Sequence, residues 1–302
     1  MKAILVKKSG GPEVLALVEI EKPKPGRGEL LVKVKAATVT AGDAKLRAMS
    51  RAILVPLGLL FGFKPMKIPG VEFAGIVEEP GMGVTEYAKG DRVVGTTTGL
   101  ERGANAEFVV IPVRSRMGVL ASLPESLSFE EGAALPVGSM TAWQLLKKAG
   151  TLQGKRVLVY GASGSVGSCA VQLAAQHGAT VSAFCSAANG ELVRSLGAAR
   201  VLDYQSQALS EAGVQDIVFD AVGKISRSAC ASILAKGGTY VSVRSPTSER
   251  AEELRYLVAL AAEGRIHPSI ERRIHLEDVP EAHRLVDSGR KRGNIVVLMN
   301  QE

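Results

Sequence analysis

The chain has 302 residues, 46% apolar and 22% charged, a size and composition that suit two globular domains and exclude extensive disorder. Its net charge of +7 is dispersed, aromatics make up only 4%, and no zinc-finger or aromatic-interleaved RNA-binding motif occurs, so no nucleic-acid partner is expected; an anionic small molecule explains the charge as well. Three cysteines (Cys169, Cys185, Cys230) with no close-spaced pair, and four histidines with no H-E-x-x-H, argue against a disulfide framework and against a metal site.

Taken in chain order, the opening MKAILVKKSG is too short and too charged for a secretory signal, which leads us to expect a cytoplasmic protein. Strands broken by Pro and Gly are expected at 3–7, 29–37, 73–79, 92–95 and 106–111, the spacing of a compact antiparallel barrel. Between them, residues 52–63 (AILVPLGLLFGF) form an apolar run interrupted by Pro56, Gly58 and Gly62. It is too short to span a bilayer, so no stable membrane insertion is expected. It reads equally as core packing or as a greasy lid over a substrate pocket, with membrane-surface attachment ranked third. Residues 128–149 are helical in pattern, most clearly at 139–148. Strands then follow at 155–160, 180–185, 200–202, 216–220 and 239–243, with helical patterns at 166–178, 190–196, 226–234 and 250–263. Such alternation implies a parallel sheet with right-handed crossovers. From about His267 the tail mixes helix and strand and ends in an apolar strand at 295–299.

The chain is organised around Tyr160 to Gly167, YGASGSVG. A β-branched run enters it and a helical pattern leaves it. Written against the G-x-G-x-x-G fingerprint the turn is Ala162-x-Gly164-x-x-Gly167, preceded by Gly161. Backbone amides of Gly161, Ala162, Ser163, Gly164, Ser165, Val166 and Gly167 can approach a pyrophosphate at the helix N-terminus, and Gly167 allows strand and helix to pack closely. A purely structural tight turn is the competing reading. It loses weight because the residues that follow complete a nucleotide-binding pattern.

Several stretches together resemble the medium-chain dehydrogenase/reductase superfamily, in its zinc-free quinone oxidoreductase-like branch. They are GGPEVL (10–15), AATVTAGDAKLR (36–47), IPGVEFAGIVE (68–78), GDRVVG (90–95), LPVGSMTAWQLL (135–146), the glycine turn, CSAANGELVRSLGAARVLDY (185–204) and KRGNIVV (291–297). The resemblance implies an α/β fold: a Rossmann doubly wound parallel sheet, residues 121–266, inserted in a GroES-like antiparallel β-barrel of residues 1–120 completed by 267–302. A cleft where nicotinamide meets substrate is expected. Zinc-dependent relatives carry Cys and His where this chain has Thr40 and Val71, and the cysteine-rich structural-zinc lobe is missing, since residues 94–110 hold no cysteine. No metal ligand is expected.

In an NAD-type Rossmann fold an acid about 20 residues after the glycines bonds the ribose 2′-hydroxyl. Here the second strand ends Cys185-Ser186-Ala187-Ala188-Asn189, without an acid. Ser186 can donate to a 2′-phosphate, but Ala187 and Ala188 supply no cation. A missing charge-assisted hydrogen bond is worth roughly 1.5 to 3 kcal/mol. NADPH is therefore expected over NADH, weakly clamped. By resemblance Tyr204 closes that site, with a partly buried structural aromatic as its alternative. Backbone at Val222 and Gly223 borders the ribose and Val243 approaches the carboxamide. Thr141 and Asn294 are expected cofactor contacts, against helix capping and turn formation.

Hydride transfer needs close approach in a dry pocket and donors for the developing oxyanion. Thr40 stands where quinone-reductase relatives often place asparagine, which makes it the candidate polariser, though a β-branched residue ending a strand is as often structural. Asp43 is a loop-organising acceptor that can line the site, and Glu72 bonds local backbone amides. The expected reaction is zinc-independent reduction of a quinone or an α,β-unsaturated carbonyl by NADPH, with a carbonyl/alcohol oxidoreductase or a non-catalytic NADPH-binding sensor as alternatives. Many relatives pair subunits through an extra strand after the one ending at Val243. RSPTSE (244–249) leaves no room for it, so a monomer is favoured over a homodimer.

Overall fold

In the computed structural model, which describes residues 1–115 and 118–299, the chain divides into two units. One comprises Met1–Val137, Glu249–Ala262 and Ile270–Glu302, the other Gly138–Ser248 and Glu263–Ser269. The first boundary thus falls after Val137 rather than near residue 120, and residues 249–262 group with the first unit.

The first unit opens with β1 (Lys2–Val6) paired antiparallel with β2 (Leu15–Glu19), a strand that the sequence pattern did not announce. Next come β3 (Glu29–Val39), α1 (Ala41–Ala48), α2 (Arg51–Phe61), β4 (Glu72–Pro80), β5 (Arg92–Thr96), β6 (Phe108–Pro112), β7 (Leu120–Ser122) and the short α3 (Phe129–Ala133). β3 can run through the core on both faces because Ala36, Ala37 and Thr38 are small and fully buried. The apolar run at 52–63 is therefore mostly helix, with Pro56 inside it.

The second unit holds most of α4 (Pro136–Ala149), then β8 (Arg156–Tyr160), α5 (Ser165–Gln176), β9 (Thr180–Cys185), α6 (Gly190–Ser195), β10 (Arg200–Asp203), β11 (Gln215–Asp220) and β12 (Leu234–Ser242). The five strands lie in the order β10-β9-β8-β11-β12 and every pair is parallel. Val157, Leu158 and Val159 of the central β8 are fully buried, as expected of a strand covered on both faces. The strand order reverses between β8 and β11, the switch point at whose carboxyl edge such sheets bind ligands. Among the described residues the sheet ends at β12. One expected helix is absent: residues 226–233 form successive turns. Ala231 bonds back to Ser228 and Ile233 to Cys230, three residues away. Ser226 and Ser228 bond each other through their hydroxyls, the local competition that disfavours helix interiors. Cys169 lies within α5, whereas Cys230 lies in these turns; both are buried.

The remainder of the first unit is α7 (Ala251–Ala262), β13 (Ile270–His275), α8 (Val279–Asp287) and β14 (Asn294–Leu298). Its sheet runs β13-β14-β3-β4-β5-β7, with β6 also on β3. β4 lines one edge of β3, while β6 (along 29–33) and β14 (along 36–39) share the other. The pairing is antiparallel as expected, except that β13 and β14 run parallel. Arg47 ties three distant segments together: Nε donates to Gly10 O (3.0 Å), Nη2 to Asp287 Oδ2 (2.7 Å), and Nη1 meets His283 Nδ1 at 2.9 Å. Because a guanidinium only donates, Nδ1 accepts and His283 carries its proton on Nε2. No helix among the described residues is long and apolar enough to cross a membrane.

Candidate functional site

In the second unit the glycine turn links β8 to α5. Gly161 takes a left-handed φ of 79°, and a Cβ there would sit 2.6 Å from Val222 Cγ1. A Cβ on Gly167 would overlap the Gly161 carbonyl, so this glycine is required for helix and strand to touch. Gly164 differs. It is the N-cap of α5, with φ −77° and ψ 173°, and makes no side-chain cap; a Cβ there would meet only Gly161 O, at 3.5 Å. By helix geometry the first-turn amides of Ser165, Val166 and Gly167 find no carbonyl within the helix. Nothing acidic stands in that turn. The space ahead of α5 thus offers oriented donors and positive dipole to an anion, which is what a pyrophosphate requires. Ala162 itself is fully buried and contributes backbone alone.

Ser163 and Ser186 are brought together by a residue given no role above, Asn189, whose Nδ2 donates to both hydroxyl oxygens at 3.0 Å. Each serine therefore acts as acceptor inside the chain and keeps its own hydroxyl hydrogen to donate. A cation stands on α6, six residues after Ala188. Arg194 lies against Gly190, its Nη1 3.3 Å from where a Cβ there would be, and it acts on Cys185. Burial, reinforced by Asp203, pushes the Cys185 thiol up to about 11. Asp203 spends its carboxylate on Gln205 N and Ser206 Oγ. Tyr204, half-exposed, follows it, with its amide on Cys185 O.

At the end of β11 the buried Asp220 organises the next loop. Its Oδ1 accepts from Val222 N (3.1 Å) and Gly223 N (2.9 Å), its Oδ2 from Tyr240 and Ser242. Val243 N bonds Asp220 O at 3.0 Å. Thr141 lies within α4, five residues after its start, which removes helix capping as its explanation. Asn294 belongs to the first unit, where its Nδ2 donates to Ala134 O at 3.1 Å.

In the first unit Thr40 is the N-cap of α1. Its Oγ donates to Asp43 Oδ2 (2.6 Å) and accepts from Asp43 N (3.1 Å), while Thr40 N also donates to Oδ2. The hydroxyl proton expected to polarise an acceptor is thus held by Asp43. Asp43 Oδ1 in turn accepts from Gly70 N, and burial pushes its carboxyl up against these bonds. Glu72, also buried, accepts from Thr38 Oγ1 and from Val137 N, each at 2.6 Å. Burial pushes it up to about 7, opposed by those bonds and by the Lys291 ammonium. Lys291 is itself pushed down by burial, against Glu72, Glu271 and Asp43. The expectation of backbone bonding by Glu72 covers one of its two oxygens, through Val137 N; the Thr38 hydroxyl takes the other.

A cavity of about 220 Å³ lies in the same unit, walled by Leu46, Leu54, Phe63, Met66, Val71 and Leu100. Its two threonines are committed, Thr97 Oγ1 to Gly70 O and Thr98 Oγ1 to Glu249 Oε1. Thr40 is not among its lining residues, so Val71, not Thr40, faces this space.

Known proteins share both halves. Residues 26–125 match the alcohol dehydrogenase GroES-like domain and residues 165–288 the zinc-binding dehydrogenase domain. The mouse mitochondrial NAD(P)H oxidoreductase RTN4IP1 is 30% identical across 98% of this chain and 89% of its own length. The chain belongs to the medium-chain dehydrogenase/reductase superfamily, and is quinone oxidoreductase-like. A chloroplastic quinone-oxidoreductase homologue of Spinacia oleracea is 38% identical over 203 residues, 65% of this chain; the match spans 59% of that protein. The quinone oxidoreductase structure from Coxiella burnetii superposes with a TM-score of 0.88 at 29% identity, covering 99% of each chain. As a member of this superfamily the chain is an oxidoreductase using a nicotinamide cofactor, and the open N-terminus of α5 fits one.

Zinc, which the second family model's description carries, fits less well. Among the described residues no group of three or more His, Cys, Asp or Glu could hold a metal ion. Thr40 is closed by its capping box, Val71 has no donor, and Glu72 is bonded on both oxygens.

Proposed function

We propose that this protein is a zinc-independent reductase that prefers NADPH to NADH and passes a hydride to a quinone or an α,β-unsaturated carbonyl. The observation that carries the cofactor preference is the uncharged end of β9, where Ser186 keeps a donor hydrogen beside Ser163 and Arg194 supplies a cation. When bound, the nicotinamide supplies the hydride. The amides of Ser165, Val166 and Gly167 hold the diphosphate. Asp220 fixes the Val222–Gly223 turn against the ribose, with Tyr204 and Val243 at the same carboxyl edge of the sheet. Thr141 is retained as a cofactor contact.

The acceptor class rests on the names of the spinach and Coxiella proteins and on the apolar cavity, whose lining holds no metal-ligand set to activate a simple carbonyl. A conjugated acceptor needs less activation, because its charge is delocalised as it develops. Asp43 then acts as a positioning residue: it holds Thr40 and Gly70 in place. The final proton comes from solvent.

NADH is the second reading, favoured by Asp203, an acid beside the end of β9. Fluorescence titration decides between them, with NADPH expected to bind about tenfold tighter, one charge-assisted hydrogen bond's worth. Equal or tighter NADH binding would overturn the preference. In parallel, NADPH oxidation is measured across quinones, enones and aldehydes with and without a chelator. Turnover of quinones or enones insensitive to chelation is expected, and turnover of aldehydes alone would contradict the acceptor assignment.

A further inference from the structure

Helix α2 is built the opposite way to an ordinary surface helix. Only Leu54 and Gly58 are buried, the single i, i+4 stripe that faces inward. Ile53, Val55, Leu57, Leu59, Leu60 and Phe61 stand in solvent, Leu59 at 84% and Leu60 at 74% exposure. Nor does local preference explain the helix. It has eleven residues, a proline inside that removes a backbone hydrogen bond, and β-branched Ile53 and Val55. What fixes it is its ends: Ser50 accepts from Ala52 N, and Gly62, at φ 77°, turns the chain back so that Phe63 crosses Gly58. An apolar surface of this kind, maintained at the expense of helix propensity, marks an interaction face.

Charge selects what covers it. From Ala44 to Val71 the chain carries five cations, Lys45, Arg47, Arg51, Lys64 and Lys67, and no acid. Arg47 is buried in its own network and Lys67 is paired with Glu101 at 2.6 Å, but Lys45, Arg51 and Lys64 are exposed. Ile68, which lines the apolar cavity beside Phe63, also lines a neighbouring cleft that carries Lys24 and Arg102. A second copy of this chain, meeting the patch through a two-fold axis, would set these cations against themselves. An anionic surface would not.

We propose that α2 and its flanking cations form a docking surface for an anionic lipid bilayer. The helix lies in the headgroup layer with Leu59, Leu60 and Phe61 in the acyl boundary, and Arg51 and Lys64 on lipid phosphates. At eleven residues it is too short to span, and an apolar face with basic flanks is the composition of an interfacial helix. The docking stands independently of the reductase reading.

Vesicle flotation with the full chain tests it, using phosphatidylcholine vesicles with and without a quarter phosphatidylglycerol. Wild type is expected to float with the anionic vesicles at least fivefold more than with phosphatidylcholine, and to be released by high salt. The Leu59→Asp, Leu60→Asp variant is expected to lose at least tenfold of that binding at an unchanged melting temperature, because both side chains are already in solvent. Arg51→Gln with Lys64→Gln, which leaves the apolar face intact, is expected to abolish the anionic preference. Equal flotation with both lipids, undiminished binding by the aspartate variant, or light scattering that shows a Leu59- and Leu60-dependent dimer without vesicle binding would each overturn the proposal.

Discussion

The start of α5 and the start of α1 are both helix N-termini following a strand, and they treat their donors in opposite ways. At α1, Thr40 and Asp43 cap each other reciprocally, so both a hydroxyl and a backbone donor are consumed within the chain. At α5 the cap is a glycine with no side chain, and the first-turn amides are left to whatever arrives. The lesson is that ligand sites lie where the fold leaves donors unspent. A polar residue at a family's catalytic position is not enough.

The largest expected effect that sharpens this contrast concerns the buried groups of the first unit. Glu72 is raised from 4.5 to about 7 in the folded protein. The folded state therefore binds its proton more tightly, and the stability this contributes is full below pH 4.5 and lost as pH rises to about 7, at most ~3 kcal/mol. His283 is lowered from 6.5 to about 4, chiefly by burial, which works in reverse: its contribution is present above pH 6.5 and lost as pH falls toward 4. The two slopes oppose each other in the native protein. In Glu72→Gln, urea unfolding from pH 4 to 7 is expected to show stability rising more steeply with pH than in wild type, because the opposing Glu72 slope is gone. A profile like that of wild type would mean Glu72 is not protonated in the fold.

A smaller effect is expected at Thr40. Removing its cap in Thr40→Ala should cost about 1 kcal/mol of stability and leave turnover within about twofold, since the hydroxyl is held by Asp43. A fall in kcat of a hundredfold with cofactor affinity unchanged would restore Thr40 as the group that polarises the acceptor.

Much of this was legible in the residues. The five parallel strands follow from β-branched runs alternating with helical periods, and the glycine turn is largely local, because Gly161 takes a left-handed φ and Gly167 meets the Gly161 carbonyl six residues away. What could not be read is long-range or cooperative. β2 is short and carries no turn residue at its boundaries. The helical period at 226–234 is real, but the segment closes as successive turns, with three- and four-residue backbone bonds converging on Cys230. Asn189 and Arg194 sit within the motif that includes Ser186, yet only the folded segment shows Asn189 bridging Ser163 and Ser186 and Arg194 lying against Gly190. Glu72 accepts from Val137 N across 65 residues of chain, and no spacing rule encodes that. The exposed face of α2 was ambiguous for a physical reason: Leu54 and Phe63 do wall a pocket, so core packing and lid each described one side of a helix whose other side faces solvent.

Gly164→Asp tests the central claim most directly. A Cβ there makes only an ordinary van der Waals contact, with Gly161 O, and aspartate at an N-cap bonds the first-turn amides and favours the dipole, which should raise stability by about 0.5 to 1 kcal/mol. The same carboxylate occupies the donors assigned to the cofactor's diphosphate and repels it. Melting temperature and NADPH titration on one sample are expected to show a protein at least as stable as wild type whose affinity for NADPH has fallen about a hundredfold or more, the loss of two charge-assisted hydrogen bonds. Unchanged NADPH affinity in a folded Gly164→Asp protein would contradict the account.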